Sequence, residues 1–133
     1  MKEKQQELMF KLQMFEQQAQ QIQQQMQAVE QAVIDMTSLD FGLSELVSKE
    51  GKEIMAPVGR GIFVKAKLIS EELVVDVGSK NFVTKTIPQT KELIKGQIDK
   101  LSEVQGELEK NLRQIGEEFN NMIMEAQKGE EGK

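Results

Sequence analysis

The sequence predicts a mainly α fold with a small β insert: an antiparallel two-helix coiled coil, two β-hairpins at one end, and oligomerisation through the β-region. Three observations predict it. Apolar residues repeat at heptad spacing near both ends of the 133-residue chain. Short β-branched runs separated by turn residues fill the middle. The two heptad series also have the same reach, Leu8 to Met36 and Ile98 to Ala126 each spanning 28 residues. The whole chain, 1–133, reads as one structural unit.

The N-terminal helix is expected over residues 4–40. Its series Leu8, Leu12, Phe15, Ala19, Ile22, Met26, Val29, Val33 and Met36 alternates steps of four and three, an a/d seam over about four heptads. A strand would alternate by two, and disorder would not maintain the seam. Glutamine, an uncharged helix former, is the commonest residue at the other positions.

Residues 41–87 are expected to form about four strands in two hairpins. The runs are Ile54–Val58, Gly61–Ile69, Leu73–Val77 and Phe82–Ile87. Gly59-Arg60-Gly61, Ser70-Glu71-Glu72 and Gly78-Ser79-Lys80-Asn81 supply the turns. Alternation puts Lys65 and Lys67 on one face and Val64, Ala66 and Leu68 on the other.

The C-terminal helix is expected over 88–128, with Pro88 just inside its start, Gly129 at its end and 129–133 as a disordered tail. Ile94, Ile98, Leu101, Leu108, Leu112, Ile115, Phe119, Met122 and Ala126 keep the seam, and Gln105 fills its one polar position. At about 1.5 Å per residue the paired seams make a rod of roughly 40 Å. If the strands close one end, both termini meet at the other. So small a unit leaves its strands short of neighbours, and hairpin edges present unpaired backbone groups. Strands of other subunits are the simplest partners.

Composition excludes much chemistry. The chain has no His, Cys, Trp or Tyr, so it cannot build a Ser-His-Asp or Cys-His centre, a zinc site of the usual ligands or a disulfide framework. Gly59-Arg60-Gly61 lacks the Lys-Ser/Thr of a phosphate-cradling loop and reads as a bend. No catalytic residue, metal ligand or cofactor is assigned; the chain is not read as an enzyme. A net charge of −5 disfavours nonspecific binding to nucleic acid. The longest uncharged stretch, Gln17–Val29, is mostly glutamine and unsuited to a bilayer, and the first residues lack the apolar run of a signal peptide. A soluble, cytoplasmic protein is expected.

The pattern breaks in one place. With Leu12 at a, Met9 falls at e, Phe10 at f and Met14 at c; on the second helix Ile123 falls at e and Met124 at f. These apolar residues lie outside the seam and gather at the terminus-bearing tip, a patch suited to weak, varied apolar contacts. Gly96, Gly106 and Gly116 recur every ten residues at outer positions of the second helix, which suits an arm that bends.

A helix, a hairpin block and a second helix of equal reach together resemble the prefoldin family, in particular its α-type subunits. Pro57-Val58-Gly59-Arg60-Gly61-Ile62-Phe63-Val64-Lys65-Ala66-Lys67 is similar to the family's central stretch. Val74-Val75-Asp76-Val77-Gly78-Ser79, followed by Phe82-Val83-Thr84-Lys85, is similar to its second strand pair. Two strand pairs match the α type, since β-type subunits carry one hairpin. Thr84 stands where the family commonly has Glu, and Gln89-Thr90-Lys91 replaces its usual acidic-Ala helix opening.

The resemblance implies an ATP-independent holding chaperone. Two α-type and four β-type prefoldin subunits would form a hexamer whose arms hold unfolded client proteins and deliver them to a group II chaperonin. Client contacts would be Met9, Phe10, Met14, Phe119, Ile123 and Met124. Phe119, at an a position, serves only if the coil opens at its end. The oligomer surface would use Ile62, Phe63, Val64, Ala66, Val75, Val77, Phe82 and Val83. The alternative is a structural coiled-coil tether or adaptor with one defined partner.

Overall fold

The computed structural model describes residues 2–131, with side chains through 128. The element order is α1 (Lys2–Leu46), β1 (Glu53–Gly59), β2 (Ile62–Lys67), β3 (Leu73–Asp76), β4 (Phe82–Lys85) and α2 (Ile87–Glu131). Two long helices thus enclose two separate two-stranded antiparallel sheets, the coiled-coil-plus-β architecture expected. Residue contacts group the chain into two compact units. One joins the residues up to Val33 with those from Lys100 onward; the other is Ile34–Asp99.

The described residues of the first unit are all helical. Its seam residues, from Leu8 to Val33 on α1 and from Leu101 to Ala126 on α2, are each half-buried, while most outer positions are exposed. Half-burial suits a two-helix seam, where each side chain has a partner on one side only. Gln105 is half-buried with the rest, and its Oε1 is buried without a hydrogen-bond partner. An uncompensated buried carbonyl opposes folding by about 1–3 kcal/mol, so this position weakens the seam it completes.

Among the described residues, the buried hydrophobic side chains all lie in the second unit. Leu43, Ile87 and Ile94 form a small core, with Met36, Leu46, Leu73 and Ile98 packed against it. This core explains where α1 ends. The expected boundary at 40 follows an apparent break, because Asp40 takes the next seam position and Gly42 follows. The apolar series resumes at Leu43, and burying that residue carries the helix on to Leu46. Ser48 then takes a left-handed φ of 63°, and its N–H donates to the Glu71 carboxylate.

In the first hairpin Ile54 pairs with Ala66 and Ala56 with Val64 on one face, while Met55 opposes Lys65 and Pro57 opposes Phe63 on the other. The register shifts between Pro57 and Gly59, leaving Val58 as a bulge. Gly59, Arg60 and Gly61 turn the chain with φ of 146°, 50° and 78°, a run of left-handed backbone that glycine supplies at little steric cost. Gly51 N–H donates to the Leu68 carbonyl at 2.7 Å and Leu68 N–H to the Lys52 carbonyl at 3.1 Å, extending the pairing beyond the strands.

In the second hairpin Val75 pairs with Val83 and Asp76 with Phe82. The Asp76 carboxylate accepts from Gly78 N–H at 2.9 Å, starting the turn. The expected fourth strand over 82–87 stops at Lys85, because Thr86 becomes the N-cap of α2. Gln89 N–H donates to Thr86 Oγ1 at 3.2 Å, and Thr86 N–H donates to Gln89 Oε1 at 3.1 Å, a reciprocal capping box. Ile87 therefore enters the helix and the core instead of a strand.

At its other end α2 runs through Gly129 to Glu131, past the boundary expected at 128, so the tail expected to be disordered is helical as far as Glu131. Lys128 lies in the last turn, where a cation complements the helix dipole. The rest of that tail, Gly132 and Lys133, lies outside the described residues.

Candidate functional site

Two sets of apolar side chains are left in water, one in each unit. In the helical unit Met9 and Phe10 are both 63% exposed, Met124 58% and Met14 46%. All four occupy outer helix positions near the chain termini, beyond the half-buried seam residues Leu8, Leu12 and Met122. Phe10 stands beside a shallow hollow lined by Glu3, Gln6, Glu7 and Lys11, a polar rim around an apolar ring. Helix backbone satisfies its own hydrogen bonds, so these side chains can stay hydrated without unpaired peptide groups beside them.

The other two expected tip residues differ. Phe119 is half-buried, as its a position requires. Ile123 is also half-buried, because an e position flanks the seam and an Ile there can fold back over it. The exposed set is therefore three methionines and one phenylalanine.

The β-bearing unit exposes a larger set. Of the expected assembly residues, Ile62, Phe63, Val64, Val77, Phe82 and Val83 are exposed, and Ala66 and Val75 are half-buried. Met55, Val58, Ile69 and Val74 are exposed as well, as are Phe41 and Ile34 on α1. The two helix residues are seven apart, on one outward stripe. That stripe was open to reading, since both hold the same outer heptad position. The first hairpin carries apolar side chains on both faces, Ile54, Ala56 and Val64 on one and Met55 and Phe63 on the other. A hairpin apolar on both faces and unpaired at its edges is built to be enclosed.

Among the described residues no cluster of His, Cys, Asp or Glu could hold a metal ion, and no helix is long and apolar enough to cross a membrane.

The prefoldin subunit family profile matches residues 15–130, which take in both hairpins, the second seam and the first seam from Phe15 onward. The chain belongs to the prefoldin family. Among curated relatives it is 27% identical over 122 residues to a prefoldin subunit alpha of Methanobrevibacter smithii, covering 91% of this chain and 84% of that protein. It is 29% identical over 119 residues to a prefoldin subunit alpha of Methanosarcina barkeri, covering 86% and 83%. In fold it is similar to a cryo-EM structure of filamentous PFD from Methanocaldococcus jannaschii, with a TM-score of 0.75 and 20% identity, covering 86% of this chain and 96% of that one. The two hairpins and these relatives mark it as an α-type prefoldin subunit. Prefoldin subunits are chaperones, and a chaperone role follows for this chain from its membership.

Proposed function

We propose that this chain is the α-type subunit of a cytoplasmic holding chaperone. Two copies assemble with four β-type subunits through the β-region, capture unfolded proteins without ATP and deliver them to a group II chaperonin. The observation that carries the reading is the exposure of Met9, Phe10, Met14 and Met124 at outer helix positions while the seam residues of the same unit are half-buried. Each such side chain contributes on the order of 1.5–3 kcal/mol when buried against a client, before entropy is lost. One arm therefore binds weakly, and several arms on one body bind through multivalency. Flexible methionines conform to many apolar shapes, which fits clients without a shared sequence. Phe119 and Ile123 join the contact where the seam opens at its end.

The test compares the assembled protein with a variant carrying Phe10→Ser, Met14→Ser and Met124→Ser. The parent suppresses light scattering by a chemically denatured client without nucleotide. The variant loses most of that suppression at unchanged oligomer mass. Equal suppression by the variant removes the tip from the mechanism. Binding of one defined partner, with no effect on varied clients, favours the tether reading.

A further inference from the structure

We infer that Met9, Met14 and Met124 form a reversible oxidation site that releases the grip of the tip; the inference rests on the tip being the client-holding surface. The chain has no cysteine, so its sulfur chemistry belongs entirely to methionine. The described methionines fall into distinct environments. Met26, Met36 and Met122 are half-buried in the seams, whereas Met9, Met14 and Met124 are exposed at outer positions of the helical unit. Met55, 64% exposed, is the fourth open one, on β1 within the surface assigned to assembly. Three of the four exposed thioethers thus lie in the four-residue exposed tip set.

The chemistry is a two-electron oxygen transfer from a hydroperoxide. The thioether sulfur attacks the terminal peroxide oxygen, the O–O bond breaks and an S–O bond forms. Sulfur is oxidised to the sulfoxide, the peroxide is reduced, and hydrogen peroxide leaves as water. The product is a polar hydrogen-bond acceptor on a side chain that was apolar. Exposure selects which sulfurs react first, and position decides the consequence. Sulfoxides at Met26 or Met122 would stand in the seam and oppose helix pairing. At Met9, Met14 and Met124 they project outside it, so the coil persists while apolar contact area is lost. Reductases specific for methionine sulfoxide restore the thioether, which makes the change a switch.

The experiment treats the assembled oligomer with hydrogen peroxide and follows oxygen uptake at each methionine by peptide mass spectrometry. Client light scattering, helical circular dichroism and oligomer mass are read on the same samples. Met9, Met14 and Met124 gain oxygen before Met26, Met36 and Met122, and suppression falls about fivefold or more as apolar tip area is lost. Helicity and mass stay unchanged, and reductase treatment restores suppression. In a variant with Met9→Leu, Met14→Leu and Met124→Leu, suppression is the same with and without peroxide, whatever its starting level. Equal oxidation rates at tip and seam overturn the proposal, as does full tip oxidation with unchanged suppression. A Leu variant that remains peroxide-sensitive also overturns it, by tracing the loss to one of the other five methionines. If untreated protein fails to suppress scattering, the holding reading fails instead. The order of oxygen uptake then decides the modification site alone.

Discussion

The helical unit and the β-bearing unit both leave apolar side chains in water, but in different company. Of the twenty large hydrophobic residues exposed among the described residues, fifteen belong to Ile34–Asp99 and five to the helical unit. In the β-bearing unit eight of them stand on the strands of the two hairpins, whose outer edges have no strand beside them among the described residues. Covering that surface satisfies peptide groups and apolar area together, which favours a lasting interface. In the helical unit they stand on helices whose backbone is already satisfied. Covering them gains apolar area alone, and such contacts are weak and reversible. Covering similar residues would thus gain different things in the two units, and the hydrogen bonding of the backbone beneath them makes the difference.

The comparison is sharpened by perturbing each unit where it is least redundant. The largest effect is expected from Ile87→Ala, which empties part of a core with three buried members. It should destabilise the β-bearing unit by about 2–5 kcal/mol, measured by denaturant unfolding, and shift the oligomer toward smaller species by native mass spectrometry. A variant that unfolds early yet assembles normally would break the link between this core and assembly. Gln105→Leu comes next. Replacing the unpartnered amide should stabilise the helical unit by about 1–3 kcal/mol and slow amide exchange around Leu101 and Leu108, with oligomer mass unchanged. Unchanged exchange would mean that water already satisfies this carbonyl. Thr86→Ala is the smallest. Losing the cap should cost about 1 kcal/mol, seen as faster exchange in the first turn of α2 and little change near Met124.

The seams were legible because coiled-coil periodicity is set locally. Each apolar heptad residue from Leu8 to Met36 and from Ile94 to Ala126 is half-buried or buried. The hairpins were legible from their turns, Gly59-Arg60-Gly61 above all. Element ends were not, because packing overrides local signals. Asp40 and Gly42 look like the end of a helix until Leu43 is seen in the core, and Ile87 looks like strand until the core claims it. Thr86 and Gln89 did carry a readable signal, since Thr-x-x-Gln is a capping box in the sequence itself. At the tip, heptad lettering separated Met9, Phe10, Met14 and Met124 from the seam. It could not tell that Ile123 is half-buried, because flanking positions are decided by side-chain conformation.

The capping box places a single residue, Thr86, between the end of β4 and the start of α2, whereas six residues lie between α1 and β1. The longer joint is itself tied down, by Ser48 to Glu71 and by Gly51 and Lys52 to Leu68. A residue added between those bonded positions still has loop to absorb it. A residue added beside Thr86 has no loop to absorb it: where the helix takes it up, everything beyond it turns by about 100° and the stripe faces the wrong way. The joint after α1 thus has room for a change in length, while the step from sheet to second helix admits almost none.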